Sequence, residues 1–149
     1  DPLLGVLPTN TINLHLGLSP RYRGAATLFW PFYFLEPQYC GATFHLLRSE
    51  PDSGSILHQF ATPLELGDGI HDVGIRTIHY ATQEIRRLIA VADRWRFQDQ
   101  LSSGKNFLKA DFRAEHLRLI YDVYHDAIVD KYLAGEFGFQ LPRLVSFVP

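Results

Sequence analysis

The sequence predicts a single α/β domain with a mainly parallel sheet and flanking helices. Three short apolar runs, each bounded by glycine, proline, serine or aspartate, are typical of strands, and a long amphipathic stretch after them is typical of a helix packed on a sheet. Strand patterns alternate with helix patterns over the first two-thirds of the chain, which favours a parallel sheet. At 149 residues and 46% hydrophobic content, the chain can bury one core but not several ordinary domains.

The three strands are predicted at residues 11–14, 42–47 and 55–61. Between the first two, residues 22–38 contain an aromatic cluster around Trp30 and end near Pro37, a composition that indicates a short helix and a loop. The cluster is interpreted as part of the core, because large aromatic side chains are usually buried.

A long helix is predicted over residues 69–95, where apolar side chains recur at steps of three, four and five. Asp68 is expected to cap its first turn by accepting hydrogen bonds from backbone amides that have no partner within the helix. The polar residues 98–105, which include Ser102, Ser103 and Gly104, are interpreted as a loop or hinge.

A second helix is predicted over residues 113–134, with an apolar and aromatic stripe that includes Tyr121 and Tyr124 and a stop at Gly135. Residues 1–97 are therefore assigned to the domain proper, and residues 98–149 to a helical extension and tail. The stripe exceeds what the extension could cover by itself, so we expect it to contribute to a homodimer contact or to pack on a preceding segment.

Composition narrows the possible partners and the compartment. The formal net charge of −2 comes from 14 basic and 16 acidic residues mixed along the chain, which disfavours nucleic-acid binding by bulk charge. The single cysteine, Cys40, cannot form an internal disulfide, and the longest apolar run, residues 28–35, is broken by Pro31 and too short to span a membrane. With no signal-peptide pattern at the start, the expected compartment is the cytoplasm, without a membrane partner.

Polar residues near strand ends are the candidates for chemistry. Asn13 and His15 are two residues apart in the first predicted strand, so their side chains share a face, and Gly17, Pro20 and Gly24 make the next segment a tight loop. The alternative is a buried Asn and His that only satisfy loop backbone groups. Asp52 lies in a Ser-Glu-Pro-Asp-Ser-Gly-Ser turn, where an aspartate can equally serve to shape the turn.

Other polar residues give weaker signals. His45 could belong to the core or to a site, and a metal centre built from His15, His45, His58 and Asp52 is disfavoured because the chain has no close-spaced ligand pair. Arg21 and Arg23 are interpreted as a solvated pair.

Three segments carry a family resemblance when they are taken together. They are residues 12–24 (Ile-Asn-Leu-His-Leu-Gly-Leu-Ser-Pro-Arg-Tyr-Arg-Gly), residues 41–45 (Gly-Ala-Thr-Phe-His) and residues 52–56 (Asp-Ser-Gly-Ser-Ile). This pattern resembles the folate-dependent formyltransferases, whose motifs are Asn-x-His-x-Ser-x-Leu-Pro, Gly-x-Thr-x-His and Asp-x-Gly-x-Ile in the same order and spacing. The resemblance covers roughly residues 11–93 and implies a formyltransferase-like fold whose N-terminal part is lacking before Asp1.

The resemblance also implies roles for individual residues. Asn13, His15 and Asp52 fall on the catalytic Asn, His and Asp of the family. Residues 48–50, which are Arg48, Ser49 and Glu50, fall where backbone groups of the family meet the pterin ring of formyltetrahydrofolate, the formyl donor, and His45 falls beside them. Two positions depart from the pattern: the family serine is Gly17 and the leucine before proline is Ser19. Loss of the serine hydroxyl bears on substrate identity more than on reaction type.

Formyl transfer to an amine needs donors for the oxygen that becomes negative and an acceptor for the proton that leaves the nitrogen. The amide of Asn13 and a protonated His15 are expected to donate, and Asp52 to accept. The expected acceptor is a primary amine on a small molecule, such as a nucleotide-linked sugar, rather than methionyl-tRNA, because no basic, strand-rich region follows the long helix. Hydrolysis of formyltetrahydrofolate and a non-catalytic folate-binding or metabolite-binding module remain as alternatives.

Overall fold

The computed structural model describes residues 4–101 and 104–147, so Ser102 and Ser103 of the predicted loop and the last two residues of the tail lie outside the described residues. The strands are β1 (Ile12–His15), β2 (Tyr22–Gly24), β3 (Gly41–Leu46), β4 (Ile56–Ala61) and β5 (Lys105–Phe107). The α-helices are α1 (Trp30–Tyr33), α2 (Ile70–Ile89) and α3 (Ile128–Leu133). Within the described ranges, no helix is both long and apolar enough to cross a membrane.

The main sheet has the order β1-β3-β4, and both of its pairings are antiparallel. Parallel pairing occurs between β2 and β5, which form a separate two-stranded sheet. The expectation of a mainly parallel sheet is therefore wrong for the main sheet and holds only for the small one. The physical reason lies in the connection between β3 and β4: it is too short for the crossover of a dozen or more residues that parallel neighbours need.

Two apolar clusters form the core. One lies between the main sheet and α2, where Ala42 and Phe44 of β3 pack with Ala81 and Leu88 of the helix. The other surrounds α1 and contains Trp30 and Phe32 together with residues of the C-terminal third of the chain, namely Phe107, Ile120, Ile128 and Val129. The aromatic cluster is thus core, as the sequence predicted. The division of the chain at residue 97 stays a prediction.

The predicted long helix is present, but two of its details differ. It ends at Ile89 and is followed by a 3-10 turn at Ala92–Arg94 instead of continuing to residue 95. Asp68 does not cap it: the Asp68 carboxylate accepts from the Glu65 amide at 2.7 Å and pairs with Arg76. The first amides of α2 are instead satisfied by Asp72, which accepts from Gly69, and by Asp126, which accepts from Ile70 at 2.9 Å.

The second predicted helix, residues 113–134, is not continuous. A 3-10 turn at Ala114–His116 and a π-helical turn at Leu119–Val123 precede α3. His125 and Asp126 interrupt the segment with φ angles of 52° and 59°, a left-handed conformation that no α-helix contains. This break turns the Asp126 carboxylate towards the start of α2.

Candidate active site

The register of β1 on β3 collects polar side chains on one face of the main sheet. Asn13 lies opposite His45, and His15 lies opposite Thr43. Ala42 and Phe44, which alternate with Thr43 and His45 along β3, belong to the apolar cluster under α2. The opposite face of β3 therefore carries the polar groups. An irregularity in the β3–β4 pairing between Phe44 and His45 is the type of feature that re-aims a side chain at a strand end.

Asp52 reaches this face from the connection between β3 and β4. Its carboxylate Oδ2 lies 3.2 Å from His15 Nδ1, and its Oδ1 lies 3.4 Å from both Asn13 Nδ2 and His45 Nε2. Asn13, His15 and Asp52 are therefore brought together, within hydrogen-bond reach of one another through Asp52. They do not all come from carboxyl ends of adjacent strands as expected, since Asn13 lies inside β1 and Asp52 lies outside the strands.

Three consecutive residues of β2 hold this cluster from the side. The Tyr22 carbonyl lies 2.8 Å from His15 Nε2, and the Gly24 amide donates to Asp52 Oδ2 at 2.8 Å. Between them, Arg23 donates through Nη1 to Glu50 at 3.3 Å. The Arg23 side chain is only 8% exposed, so its assignment to a solvated pair is wrong. Arg21 does pair at the surface, with Glu36.

The contacts define the proton positions on both imidazoles. A carbonyl oxygen only accepts, so His15 carries a proton on Nε2 for Tyr22, and its Nδ1 faces the Asp52 carboxylate. His45 likewise carries a proton on Nδ1, which donates to the Leu46 carbonyl at 2.8 Å. Its Nε2 is then free to accept from the Asn13 amide at 3.1 Å, which orients that amide.

Burial and charge act against each other on the His15–Asp52 pair. Burial lowers the pKa of His15 below its ordinary value, against the raising effects of the Asp52 charge and the Tyr22 carbonyl. For Asp52, burial acts to raise the pKa, but the close contact with His45, the charge of a protonated His15 and the Gly24 amide together hold that pKa below its ordinary value. Asp52 is therefore an ionised acceptor at neutral pH.

The residues expected beside the folate lie in two places. His45 is buried at 1% exposure and belongs to the hydrogen-bonded cluster. Arg48, Ser49 and Glu50 are exposed on the β3–β4 connection, a few residues before Asp52. Their contact with a pterin ring stays a prediction. Among the residues that the structure describes, no group of three or more His, Cys, Asp and Glu side chains could hold a metal ion.

Several groups of the cluster carried no signal in the sequence. The Tyr22 carbonyl and the Gly24 amide are backbone groups, which every residue type possesses. Gln100 donates to the carbonyls of Asp52 and Gly54, both at 2.8 Å, and so fixes the turn from a position 48 residues after Asp52. Gly24 was expected only to shape the loop; its φ of 87° fits a glycine, but nothing in the sequence indicated that its amide would meet Asp52.

The chain is similar in sequence to known formyltransferases. No family model matches the chain. The chain is 37% identical over 68 residues to the methionyl-tRNA formyltransferase of Pelobacter propionicus, covering 46% of this chain and 21% of that protein. It is 34% identical over 110 residues to the methionyl-tRNA formyltransferase of Azobacteroides pseudotrichonymphae, covering 66% of this chain and 32% of that protein. The chain thus spans about a fifth to a third of these curated relatives.

Solved structures extend the likeness to the fold. The formyltransferase PseJ from Anoxybacillus kamchatkensis has a TM-score of 0.67 and 25% identity, covering 85% of this chain and 66% of that one. Glycinamide ribonucleotide transformylase 1 from Symbiobacterium toebii has a TM-score of 0.50 and 28% identity, covering 66% of this chain and 50% of that one. The chain is therefore similar to formyltransferases in sequence over part of its length, and its fold resembles theirs.

Proposed function

We propose that this chain carries the catalytic residues of an enzyme that transfers a formyl group from formyltetrahydrofolate to a primary amine. The observation that carries the proposal is the hydrogen-bonded cluster of Asn13, His15 and Asp52, with His45 behind it. The cluster combines an amide donor, an ionised carboxylate and an imidazole in one partly buried place, and formyl transfer needs these groups together.

Asp52 is the proton acceptor in this proposal. Its Oδ2 is engaged by two close contacts, with His15 and Gly24, whereas the contacts of Oδ1 are longer, at 3.4 Å. Oδ1 is therefore the oxygen that is available to take a proton from an attacking amine, directly or through one water.

Asn13 is the proposed donor to the formyl oxygen as negative charge develops there. Its amide is oriented by His45 and is only partly buried, so it can turn towards a ligand. His15 has both nitrogens engaged, so it reaches the formyl oxygen only by giving up the Tyr22 carbonyl. When the ring is protonated, Nδ1 donates to Asp52 and stabilises the charge and the orientation of that carboxylate, and the expected direct donation from His15 to the formyl oxygen stays a prediction.

Formyltetrahydrofolate is proposed as the donor because the residues present suit it chemically. The exposed connection at residues 48–50 offers backbone groups next to Asp52 to hold a flat polar ring. Support comes from solved neighbours: PseJ was crystallised with tetrahydrofolate, and an N-formyltransferase from Helicobacter canadensis with folinic acid.

A nucleotide-linked amino sugar is proposed as the acceptor. PseJ, which this chain covers to 66% of its length, was crystallised in complex with UDP-4,6-dideoxy-4-formamido-L-AltNAc. The curated relatives are methionyl-tRNA formyltransferases, so methionyl-tRNA is the competing acceptor that the experiment must include. The homodimer contact through residues 113–134 and the cytoplasmic compartment stay predictions.

The test is a formyl-transfer assay with formyltetrahydrofolate and two acceptors, a UDP-linked 4-amino sugar and methionyl-tRNA. Tetrahydrofolate release is followed optically, and the formamide product by mass spectrometry. Release that depends on an amine and forms the formamide supports the proposal and identifies the acceptor. Release without an amine would establish hydrolysis in its place, and folate binding without any release would establish a binding module.

A further inference from the structure

Gly17, the position at which the chain departs from the family serine, lies in a space too small for a side chain. A Cβ atom built at Gly17 would lie 2.5 Å from His15 Nε2, 2.7 Å from Thr27 Cβ and 2.9 Å from Thr27 Oγ1. Each distance is well inside van der Waals contact, so a side chain at position 17 would have to displace the imidazole or the threonine. Neither moves freely, because His15 is held by Tyr22 and Asp52.

Thr27 is fixed in this space by its own hydrogen bond. Its side chain is buried at 5% exposure, and its hydroxyl donates to the Leu16 carbonyl. The next carbonyl, that of Gly17, accepts from the Thr43 hydroxyl at 2.7 Å. Two threonine hydroxyls therefore hold the two consecutive carbonyls that follow His15 in the chain, which fixes the backbone on which the imidazole is mounted.

We propose that Thr27 is a positioning residue for His15, and that Gly17 is required because Thr27 occupies the space beside the imidazole that a side chain at position 17 would fill. The chain thus supplies from position 27 the hydroxyl that the family pattern places at position 17. Thr27 holds the ring so that Nε2 meets the Tyr22 carbonyl and Nδ1 meets Asp52. The effect on rate rests on the proposed function, whereas the effect on His15 itself does not.

The experiment is a double-mutant cycle of Gly17→Ser and Thr27→Ala, read by nitrogen NMR of the histidine side chains. Gly17→Ser is expected to shift the His15 ring nitrogens and its titration midpoint, because the added atoms push the imidazole away from Tyr22 and Asp52. The titration of His58, a second buried histidine, should stay unchanged. Adding Thr27→Ala should restore the His15 signals only in part, because it removes the Oγ1 contact at 2.9 Å but leaves the Cβ of residue 27 and the imidazole in place.

Gly74→Ser and Thr82→Ala are the matched controls. Gly74 lies in α2 with no atom within 4 Å of an added Cβ, and Thr82 donates to the Ile78 carbonyl on the exposed side of the same helix. Both should leave His15 unchanged. Thr27→Ser keeps the hydroxyl and should behave like the unaltered protein, whereas Thr27→Val keeps the shape and should show a shifted His15.

Formyl transfer is the second measurement. Gly17→Ser should lower kcat by roughly tenfold to a hundredfold with little change in KM, and the double variant should recover only part of that loss. Unchanged His15 signals in both Gly17→Ser and Thr27→Ala would overturn the inference. If Gly17→Ser does not fold, Thr27→Ala and Thr27→Val decide by the same signals. A protein without formyl-transfer activity would refute the proposed function and leave the NMR result to decide this inference.

Discussion

At the scale of single residues, Asp52 shows that shaping a turn and serving a site are compatible roles. Its φ of 52° is the left-handed conformation that the turn composition favours. That conformation aims the carboxylate at His15 and Asn13, and Gln100 holds the Asp52 carbonyl in place. The two interpretations that the sequence left open are therefore compatible, since the residue shapes the turn and lies in the proposed site.

Replacing Asp52 by Asn separates these roles. Asparagine tolerates the left-handed conformation and keeps the size of the side chain, so the fold should persist, but the charge and the proton acceptor are lost. We expect kcat to fall by roughly a hundredfold or more with little change in folate affinity. Steady-state kinetics and a folate-binding titration measure the two effects.

Asp99→Asn is the control for this substitution. Asp99 is exposed and accepts from the Ser55 hydroxyl, outside the cluster, so kcat should stay near that of the unaltered protein. A normal rate with Asp52→Asn would show that the carboxylate only forms the turn.

His45 should matter less than Asp52, because it acts through Asn13. Its Nε2 accepts from the Asn13 amide, and a glutamine at this position can present an oxygen acceptor of similar reach. His45→Gln is therefore expected to cost roughly tenfold in kcat, and His45→Ala more, because the amide of Asn13 then loses its orientation. Kinetics of the two variants side by side measure the difference. Equal losses would mean that the imidazole acts in another way.

At the scale of elements, the sequence predicts the three strands of the main sheet, and it also contains the information from which the antiparallel pairing of β3 and β4 follows. Apolar runs and turn residues locate β1, β3 and β4 to within about two residues. The expectation of a parallel main sheet is wrong because the connection through Asp52 and Gly54 is short enough for a hairpin and too short for a parallel crossover. β2 and β5 could not be predicted, since strands of three residues show no periodicity.

The failure of the second predicted helix has a different cause. Its apolar stripe is real, since Ile120 and Ile128 are fully buried, but periodicity cannot reveal a reversal of φ at two non-glycine residues. The reversal is stabilised by a tertiary contact, the acceptance of the Ile70 amide by Asp126. Gly69 permits this approach, because a Cβ there would lie 2.4 Å from Asp126 Oδ2.

Asp126→Ala should therefore destabilise the protein by about 1 kcal/mol, through the lost cap of α2 and the strain of alanine at positive φ. Asp126→Asn should cost less, because asparagine still accepts and tolerates the left-handed conformation. Urea denaturation of both variants measures the free energy of unfolding. Asp122→Asn, which removes only the exposed pair with Arg118, should change it by less than about 0.5 kcal/mol. Equal stability of Asp126→Ala and Asp122→Asn would contradict the capping role.

At the scale of the whole molecule, the C-terminal tail is connected to the site loop through one side chain. Gln59 of β4 accepts from the Val145 amide through its Oε1 at 3.2 Å, and its Nε2 donates to the Ser19 carbonyl at 2.6 Å. Its backbone amide donates to the Val145 carbonyl as well. The last described residues therefore lie along the β4 edge of the sheet and share a polar network with the loop that follows His15.

His58 makes the docking of this tail sensitive to pH. Its Nδ1 accepts from the Phe147 amide at 3.2 Å, which requires the neutral ring, and its Nε2 faces Glu84 at 3.6 Å. Burial lowers the pKa of His58 below its ordinary value of 6.5. The charge of Glu84 acts to raise this pKa, and the charge of Arg87 lowers it further. Burial likewise lowers the pKa of His15.

Because both histidines bind protons more weakly in the folded protein than in the unfolded chain, the stability that they contribute is present above about pH 6.5 and is lost as the pH falls below it. Melting temperatures between about pH 8 and about pH 5 should therefore decline towards the acid side. His58→Asn keeps an acceptor for the Phe147 amide but has no group that titrates, so the melting temperature of this variant should fall less steeply with pH. The fall in melting temperature that remains should come from His15. His79→Asn, on the exposed side of α2, should leave the pH profile as it is in the unaltered protein. If His58→Asn follows that same profile, the neutral His58 ring does not hold the tail, and the pH dependence must be assigned to His15 and the acidic groups.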